Sequence, residues 1–126
     1  MRILTLLAAL TIACPALAFG YDFRFRVTQT SKTDFTVENK SRAALTDYWC
    51  GAGRFVTETL GMPSKTRVYR LSPPPQKSGR GISFTLDPSR SAGVTGLTTY
   101  GRKQDGSFSA GGAVAQFCYS YDFEDF

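Results

Sequence analysis

Three cysteines are the residues of this chain that could react with one another, and their spacing indicates how. Cys50 and Cys118 lie far apart in the sequence, unlike the paired thiols of C-x-x-C redox sites. If Cys14 is removed with an export signal, these two remain as an even pair, as in exported proteins with structural disulfides. The sequence therefore predicts a stabilising Cys50–Cys118 disulfide.

The sequence lacks the side chain that proteins use most often for acid–base catalysis and for zinc binding. The chain contains no histidine, the commonest general base near neutral pH and the commonest zinc ligand. Paired carboxylates could still act, as they do in glycoside hydrolysis. The central acidic residues follow no recognisable spacing: Asp34, Glu38, Asp47, Glu58, Asp87 and Asp105. We therefore expect no metal and no cofactor, leave enzymatic activity undecided, and favour a non-enzymatic function over a small cell-envelope hydrolase.

Positive charge is the feature that points to a partner. The formal net charge is +5, and the segment from Lys65 to Arg90 carries one acid, Asp87, against several bases. Strand alternation turns one set of side chains to solvent, and on neighbouring strands that set would form a cationic face. Its members are Arg24, Arg26, Lys65, Arg67 and Tyr69. Such a face could bind anionic lipid head groups, acidic glycans or an acidic protein.

A second candidate element is the loop from Pro73 to Gly81. Three successive prolines stiffen its first half, and a proline-stiffened loop binds with less ordering cost. An inhibitor or immunity-type protein could insert such a loop into the cleft of an enzyme.

The N-terminal segment has the features of an export signal. Arg2 precedes a short apolar run, and Ala16-Leu17-Ala18 matches the small-x-small cleavage pattern, which predicts cleavage after Ala18. We expect residues 1–18 to be a signal peptide, residues 19–126 to form one domain, and the protein to be periplasmic or secreted. The alternative is a lipoprotein anchored at Cys14, although the leucine expected three residues before that cysteine is missing. Export argues against nucleic acid as the partner, and no later segment reaches the roughly 20 apolar residues of a membrane span.

The residues above must be held by strands and one clear helix. Strict alternation over Phe23–Thr28 and Thr33–Glu38 predicts two antiparallel strands joined as a hairpin. Helical spacing then places Leu45, Trp49, Ala52, Val56 and Leu60 on one apolar stripe, with Cys50 off that stripe.

The limits of this helix can also be predicted. Ser41 is the expected N-cap, and Gly61 before Met62-Pro63 is the expected end. Two glycines inside the helix, Gly51 and Gly53, each cost about 1 kcal/mol relative to alanine, so we expect another element to pack closely there.

The second half of the chain reads mainly as strands. Thr66–Leu71 and Ile82–Leu86 alternate, Val94–Tyr100 is a further predicted strand, and Gly101–Ser107 is its predicted turn. Gly106–Gly111 also reads as a flexible turn. Ala113–Tyr121 could be strand or helix, and we favour strand.

Together these elements predict an α+β fold. Its mostly antiparallel sheet has about five to six strands, and one long helix packs on one face, with Trp49 near the middle of the contact.

The order of these motifs resembles that of small exported bacterial proteins of unknown function. The resemblance rests on Asp47–Gly53 opening a helix, Arg67–Ser72 followed by prolines, Gly81–Phe84, and Phe117-Cys118. It implies export and a disulfide, and it implies no particular activity.

Overall fold

The structure is a computed structural model that describes residues 25–97 and 105–118. Five short strands and two helices form the main regular structure of this part of the chain, which is an α+β arrangement as the sequence predicts. The strands are β1 Val27–Gln29, β2 Asp34–Val37, β3 Arg67–Arg70, β4 Ile82–Thr85 and β5 Ser107–Ser109. The helices are α1 Leu45–Arg54, continued by a π-helical turn Phe55–Thr59, and α2 Ala110–Phe117, with a short 3-10 turn at Pro88–Arg90.

The five strands form one antiparallel sheet in the order β1-β2-β4-β3-β5. The β1–β2 hairpin is confirmed, with Val27 opposite Val37. Its partner β4 comes from much later in the chain and pairs Phe84 with Phe35. Strand β3 therefore lies three positions from β1, separated from it by β2 and β4.

The long helix has the predicted apolar stripe but a different beginning. Trp49, Ala52 and Val56 are fully buried against the sheet. The helix begins at Leu45, so the prediction of Ser41 as N-cap is wrong. The N–H of Ala44 instead donates to the Asp47 carboxylate at 2.7 Å, and that carboxylate satisfies a donor left free at the helix start.

The end of the long helix widens into the π-helical turn. The Leu60 N–H donates to the Phe55 carbonyl at 2.9 Å, a bond five residues back in the chain. Thr57 Oγ1 donates to the Gly53 carbonyl at 3.0 Å, so this carbonyl accepts a side-chain hydrogen bond that is not part of the helical backbone pattern. The helix then ends as predicted at Gly61, whose φ of 65° is left-handed.

A second helix packs directly on α1, where the sequence analysis favoured a strand at Ala113–Tyr121. That prediction is wrong as far as Phe117, since residues 110–117 are helical; residues beyond Cys118 lie outside the described ranges. Ser109 caps α2 by accepting the N–H of Gly112 at 3.1 Å, so Gly106–Gly111 is a strand end and a helix start rather than a flexible turn. A Cβ placed on Gly53 would lie 2.6 Å from the Ala110 carbonyl oxygen, which explains the glycine at this crossing.

The expected strand at Val94–Tyr100 is also absent where it can be compared. Residues 94–97 are irregular, and residues 98–104 lie outside the described ranges. The fifth strand is β5 instead. The sequence predicts a turn over Ser107–Ser109, but these residues pair with β3 and place Phe108 opposite Val68.

Aromatic rings fill the space between helix α1 and the sheet. Trp49 makes edge contacts with Phe84 and Phe108, with ring centroids 4.8 Å away in both cases. Phe35 packs on Phe55 of the π-helical turn and on Phe84 of the neighbouring strand β4. The predicted position of Trp49 at the centre of this contact is therefore confirmed.

One charged side chain is part of this apolar core. Arg70, opposite Phe84 on the core side, is 1% exposed. Its Nε donates to the Ser72 carbonyl at 2.7 Å and its Nη1 to the Thr95 carbonyl at 3.1 Å. Trp49 Nε1 donates to the same Thr95 carbonyl at 3.2 Å. Burial lowers the pKa of Arg70 from its ordinary value, and the two carbonyls compensate part of the lost hydration.

The predicted disulfide is present and fastens the two helices. Cys50 and Cys118 are joined, with their Cα atoms 5.0 Å apart. Cys50 is 7% exposed, so its position off the main apolar stripe is nevertheless buried, because α2 covers that flank of α1.

Candidate functional site

The strand order distributes the predicted cationic residues over distant parts of the sheet. Their grouping depended on β1 and β3 being neighbours, and two strands lie between them. Arg26 is exposed beside β1, with its carbonyl accepting the N–H of Glu38 on the next strand. Arg24 lies outside the described residues.

The predicted residues around β3 are placed near β5. The Arg67 guanidinium donates to Ser107 Oγ at 2.6 Å and lies 3.9 Å from the Asp105 carboxylate. Tyr69 is half-buried between its strand partners, and Lys65 is exposed before the strand. Arg67 thus already has polar partners within the protein.

A cavity of about 430 Å³ lies instead where the proline-rich loop crosses the sheet. Its floor is the outer face, meaning the face opposite helix α1, represented here by Thr36 on β2 and Ser83 on β4. Its wall is the segment between β3 and β4. We call this space the loop cavity; its described lining comprises Thr36, Ser72, Pro73, Pro75, Gln76, Lys77, Arg80, Gly81 and Ser83.

Two cations enter this lining from one turn of the loop. The turn is closed by the Arg80 N–H, which donates to the Lys77 carbonyl at 3.0 Å. Gly79 takes a φ of 75° inside it, a conformation that glycine adopts without steric cost. Gln76 Nε2 donates to the Arg80 carbonyl at 2.5 Å and so holds the turn from the other side. These bonds keep Lys77 and Arg80 at the same end of the cavity.

Hydroxyl groups form the floor of the loop cavity. Thr36 Oγ1 and Ser83 Oγ lie 2.8 Å apart and share one hydrogen bond across the β2–β4 pair. Ser72 Oγ accepts the N–H of Ser83 at 3.0 Å, which ties the start of the loop to β4. Strand alternation predicts outward positions for Thr36 and Ser83, but their meeting depends on the pairing of distant strands.

One carboxylate on the outer face, that of Asp34, is already paired. Asp34 is 6% exposed, accepts from Thr85 Oγ1 at 2.7 Å, and lies 2.6 Å from the Arg90 guanidinium. The hydrogen bond from Thr85 lowers the pKa of Asp34, with help from Thr33 and Arg90, against the opposing effect of burial. Asp34 is therefore an ionised structural residue rather than a proton donor of the kind hydrolysis requires.

Another acidic residue, Asp47, also has a structural hydrogen bond. Asp47 caps α1, and within residues 25–97 and 105–118 no three His, Cys, Asp or Glu side chains come together as a metal site. A second cavity of about 210 Å³ lies between β1 and α1, and Glu58 is the one carboxylate in its described lining, beside Arg54.

Comparisons with known proteins add no family. Neither the protein-family models, nor the curated proteins, nor the solved structures give a match to this chain. Within the described ranges, no helix has both the length and the apolar character needed to cross a membrane.

The run of prolines in the sequence points to the loop as a binding element, but it does not distinguish the two cations on that loop. Lys77 and Arg80 belong to the basic middle segment noted from the sequence, which was the available signal. Their joint position over Thr36 and Ser83 follows from the β2–β4 pairing, which local patterns do not encode.

Proposed function

We propose that this protein is an exported, non-enzymatic binding domain that recognises an anionic partner through the loop cavity. The observation that carries the proposal is the described lining of that cavity, which contains Lys77, Arg80 and three hydroxyl groups and no acidic side chain. Such a site attracts negative charge and offers it hydrogen bonds at once. The proposal keeps the predicted proline-rich loop, whereas none of the five residues predicted for the cationic face belongs to the described lining of the cavity.

Export is the part of this proposal that the N-terminal sequence supports. The Cys50–Cys118 disulfide is compatible with an oxidising compartment. Cleavage after Ala18, or lipid attachment at Cys14, stays a prediction.

Two forms of partner suit the loop. The first is an acidic glycan of the cell envelope or its surroundings. The second is a protein, such as an enzyme whose acidic cleft receives the loop, and the exposed positions of Pro73, Pro75 and Lys77 favour it. The hydrolase alternative gains no support from the loop cavity, whose described lining lacks a carboxylate.

Charge reversal at the loop provides the direct test of the proposal. The probe is a fluorescent heparin-derived hexasaccharide, whose binding is followed by anisotropy at fixed ionic strength. Replacing both loop cations, Lys77→Glu and Arg80→Glu, should weaken binding by about tenfold or more, because attraction becomes repulsion at the site.

A matched control separates site from net charge. Lys32 and Arg42 are exposed, lie outside the described lining of the loop cavity, and give the same change of charge when both become glutamate. This control should bind the hexasaccharide within about twofold of the parent protein. Equal losses in the two double variants would mean that overall charge, not the loop cavity, binds the probe.

A further inference from the structure

The loop cavity has unused hydrogen-bond donors as well as positive charge. Thr36, Ser72 and Ser83 bring three hydroxyl protons, and one of them is used between Thr36 and Ser83. Ser72 Oγ acts as an acceptor from the Ser83 N–H, so its own proton is not used there. Among the described residues, two hydroxyl protons in this lining therefore have no acceptor.

These donors approach from different directions. The hydroxyls lie on the sheet floor and at the start of the loop, whereas Lys77 and Arg80 enter from the turn at the other end of the loop. A carboxylate offers two oxygens in one plane, whereas a phosphate or sulfate group offers three or more oxygens in a tetrahedral arrangement. The tetrahedral group can accept from both sets of donors at once.

The size and character of the cavity indicate what carries the anion. A volume of about 430 Å³ is within the range of small-molecule sites, and it exceeds what one inorganic ion needs. The described lining contains no aromatic ring and no aliphatic side chain apart from Pro73 and Pro75. A polar carrier such as a sugar suits this surface better than an acyl chain.

Building on the proposed function, we infer that the loop cavity binds a phosphate or sulfate ester of a sugar in preference to a carboxylated sugar. The tetrahedral oxyanion lies between the hydroxyl floor and the cations of the turn. The sugar occupies the remaining volume beside the prolines.

The test compares four sugars that differ in one substituent. Amide shifts of the protein are followed by NMR during titration with glucose 6-sulfate, glucose 6-phosphate, glucuronate and glucose at pH 7. We expect shifts centred on the loop and β4, with both esters binding about tenfold tighter than glucuronate and glucose weakest. Inorganic sulfate, which has no sugar attached, is the control for the contribution of the sugar and should bind more weakly than glucose 6-sulfate.

The pH dependence offers an independent readout, because the chain contains no histidine. A phosphate ester gains its second negative charge near pH 6, whereas a sulfate ester keeps one charge throughout. Affinity for glucose 6-phosphate should therefore rise several-fold from about pH 5.5 to pH 7, while affinity for glucose 6-sulfate stays constant.

Replacing the floor hydroxyls separates this inference from the proposed function. In the Thr36→Val, Ser83→Ala variant the preference for ester over glucuronate should fall to near unity, because Lys77 and Arg80 remain and attract both anions. If the parent protein binds glucuronate as tightly as the esters, or binds no small anion, the inference is overturned and the proposed function stands. Inorganic sulfate binding as tightly as the sugar ester would overturn the role assigned to the carrier. Loss of the difference between the two charge-reversal variants would overturn the proposed function itself.

Discussion

Two arginines on opposite faces of one strand show how position changes the role of the same side chain. Arg67 points to the outer face, with 48% of its side chain exposed, and bonds to Ser107. Arg70 points to the core and is 1% exposed. Its guanidinium joins strand β3 to the backbone at Ser72 and Thr95, because its planar fork can donate in two directions.

Truncating these two arginines should have very different costs. Arg70→Ala leaves a cavity beside Phe84 and removes the donor to the Ser72 carbonyl, so we expect a loss of about 3 kcal/mol or more in the free energy of unfolding. Arg67→Ala removes the same charge from an exposed site and should cost under about 1 kcal/mol. Urea denaturation of both variants measures the difference, and similar losses would contradict the structural role assigned to Arg70.

At the scale of elements, the sequence predicted correctly the features that depend only on the residue pattern within one short segment. The stripe through Trp49, Ala52 and Val56 and the alternation in β2 and β4 are properties of short segments, and the structure confirms them. Strand β5 has three residues, and α2 is rich in alanine and glycine, so neither carries a strong periodic signal. Both are defined by contacts with β3 and α1, which come from distant sequence.

The loop cavity follows the same division between local and distant information. Each lining residue was outward-facing or in a loop by local pattern, yet the cavity exists because β4 pairs with β2 rather than with a strand nearer in sequence. The predicted cationic face depended on one further pairing, of β1 with β3, which the sheet order does not contain.

The crossing of the two helices gives a prediction at this scale. Gly53→Ala and Gly51→Ala each gain about 1 kcal/mol of helix propensity. At Gly53 the new methyl would meet the Ala110 backbone, whereas at Gly51 it would meet the side chains of Phe25 and Val37 at 3.0 and 3.3 Å, and side chains can shift. We expect Gly53→Ala to lower the free energy of unfolding by roughly 2 kcal/mol and Gly51→Ala to change it by less than about 1 kcal/mol. Thermal denaturation of the two variants provides the comparison, and an unchanged Gly53→Ala protein would refute the close approach of the helices.

At the scale of the whole molecule, the disulfide connects the first helix to the second over 68 residues. Closing a loop of this length restricts the unfolded chain, by about 4 kcal/mol in the chain-entropy estimate. The two helices also contact each other through Gly53 and Ala113, so the fold does not depend on the covalent bond alone.

Removing the bond should therefore weaken the protein without abolishing its structure. We expect the Cys50→Ser, Cys118→Ser variant to lose about 2–4 kcal/mol of unfolding free energy while keeping its far-UV circular dichroism spectrum. The parent protein treated with a thiol reductant is the control and should show the same loss. Full stability after reduction would contradict a stabilising role for the bond.

The sheet order has a consequence for how the chain is made. The β1–β2 hairpin is synthesised early, but the edge of β2 that pairs with β4 stays uncovered until β4 has been made. Helix α1 can likewise form its disulfide only when the segment that bears Cys118 has been made. During that interval the Trp49 side of α1 has no ring from β4 or β5 to pack against. The Cys50–Cys118 cross-link can therefore form only after synthesis has passed Cys118, when the strands that cover Trp49 are already part of the chain.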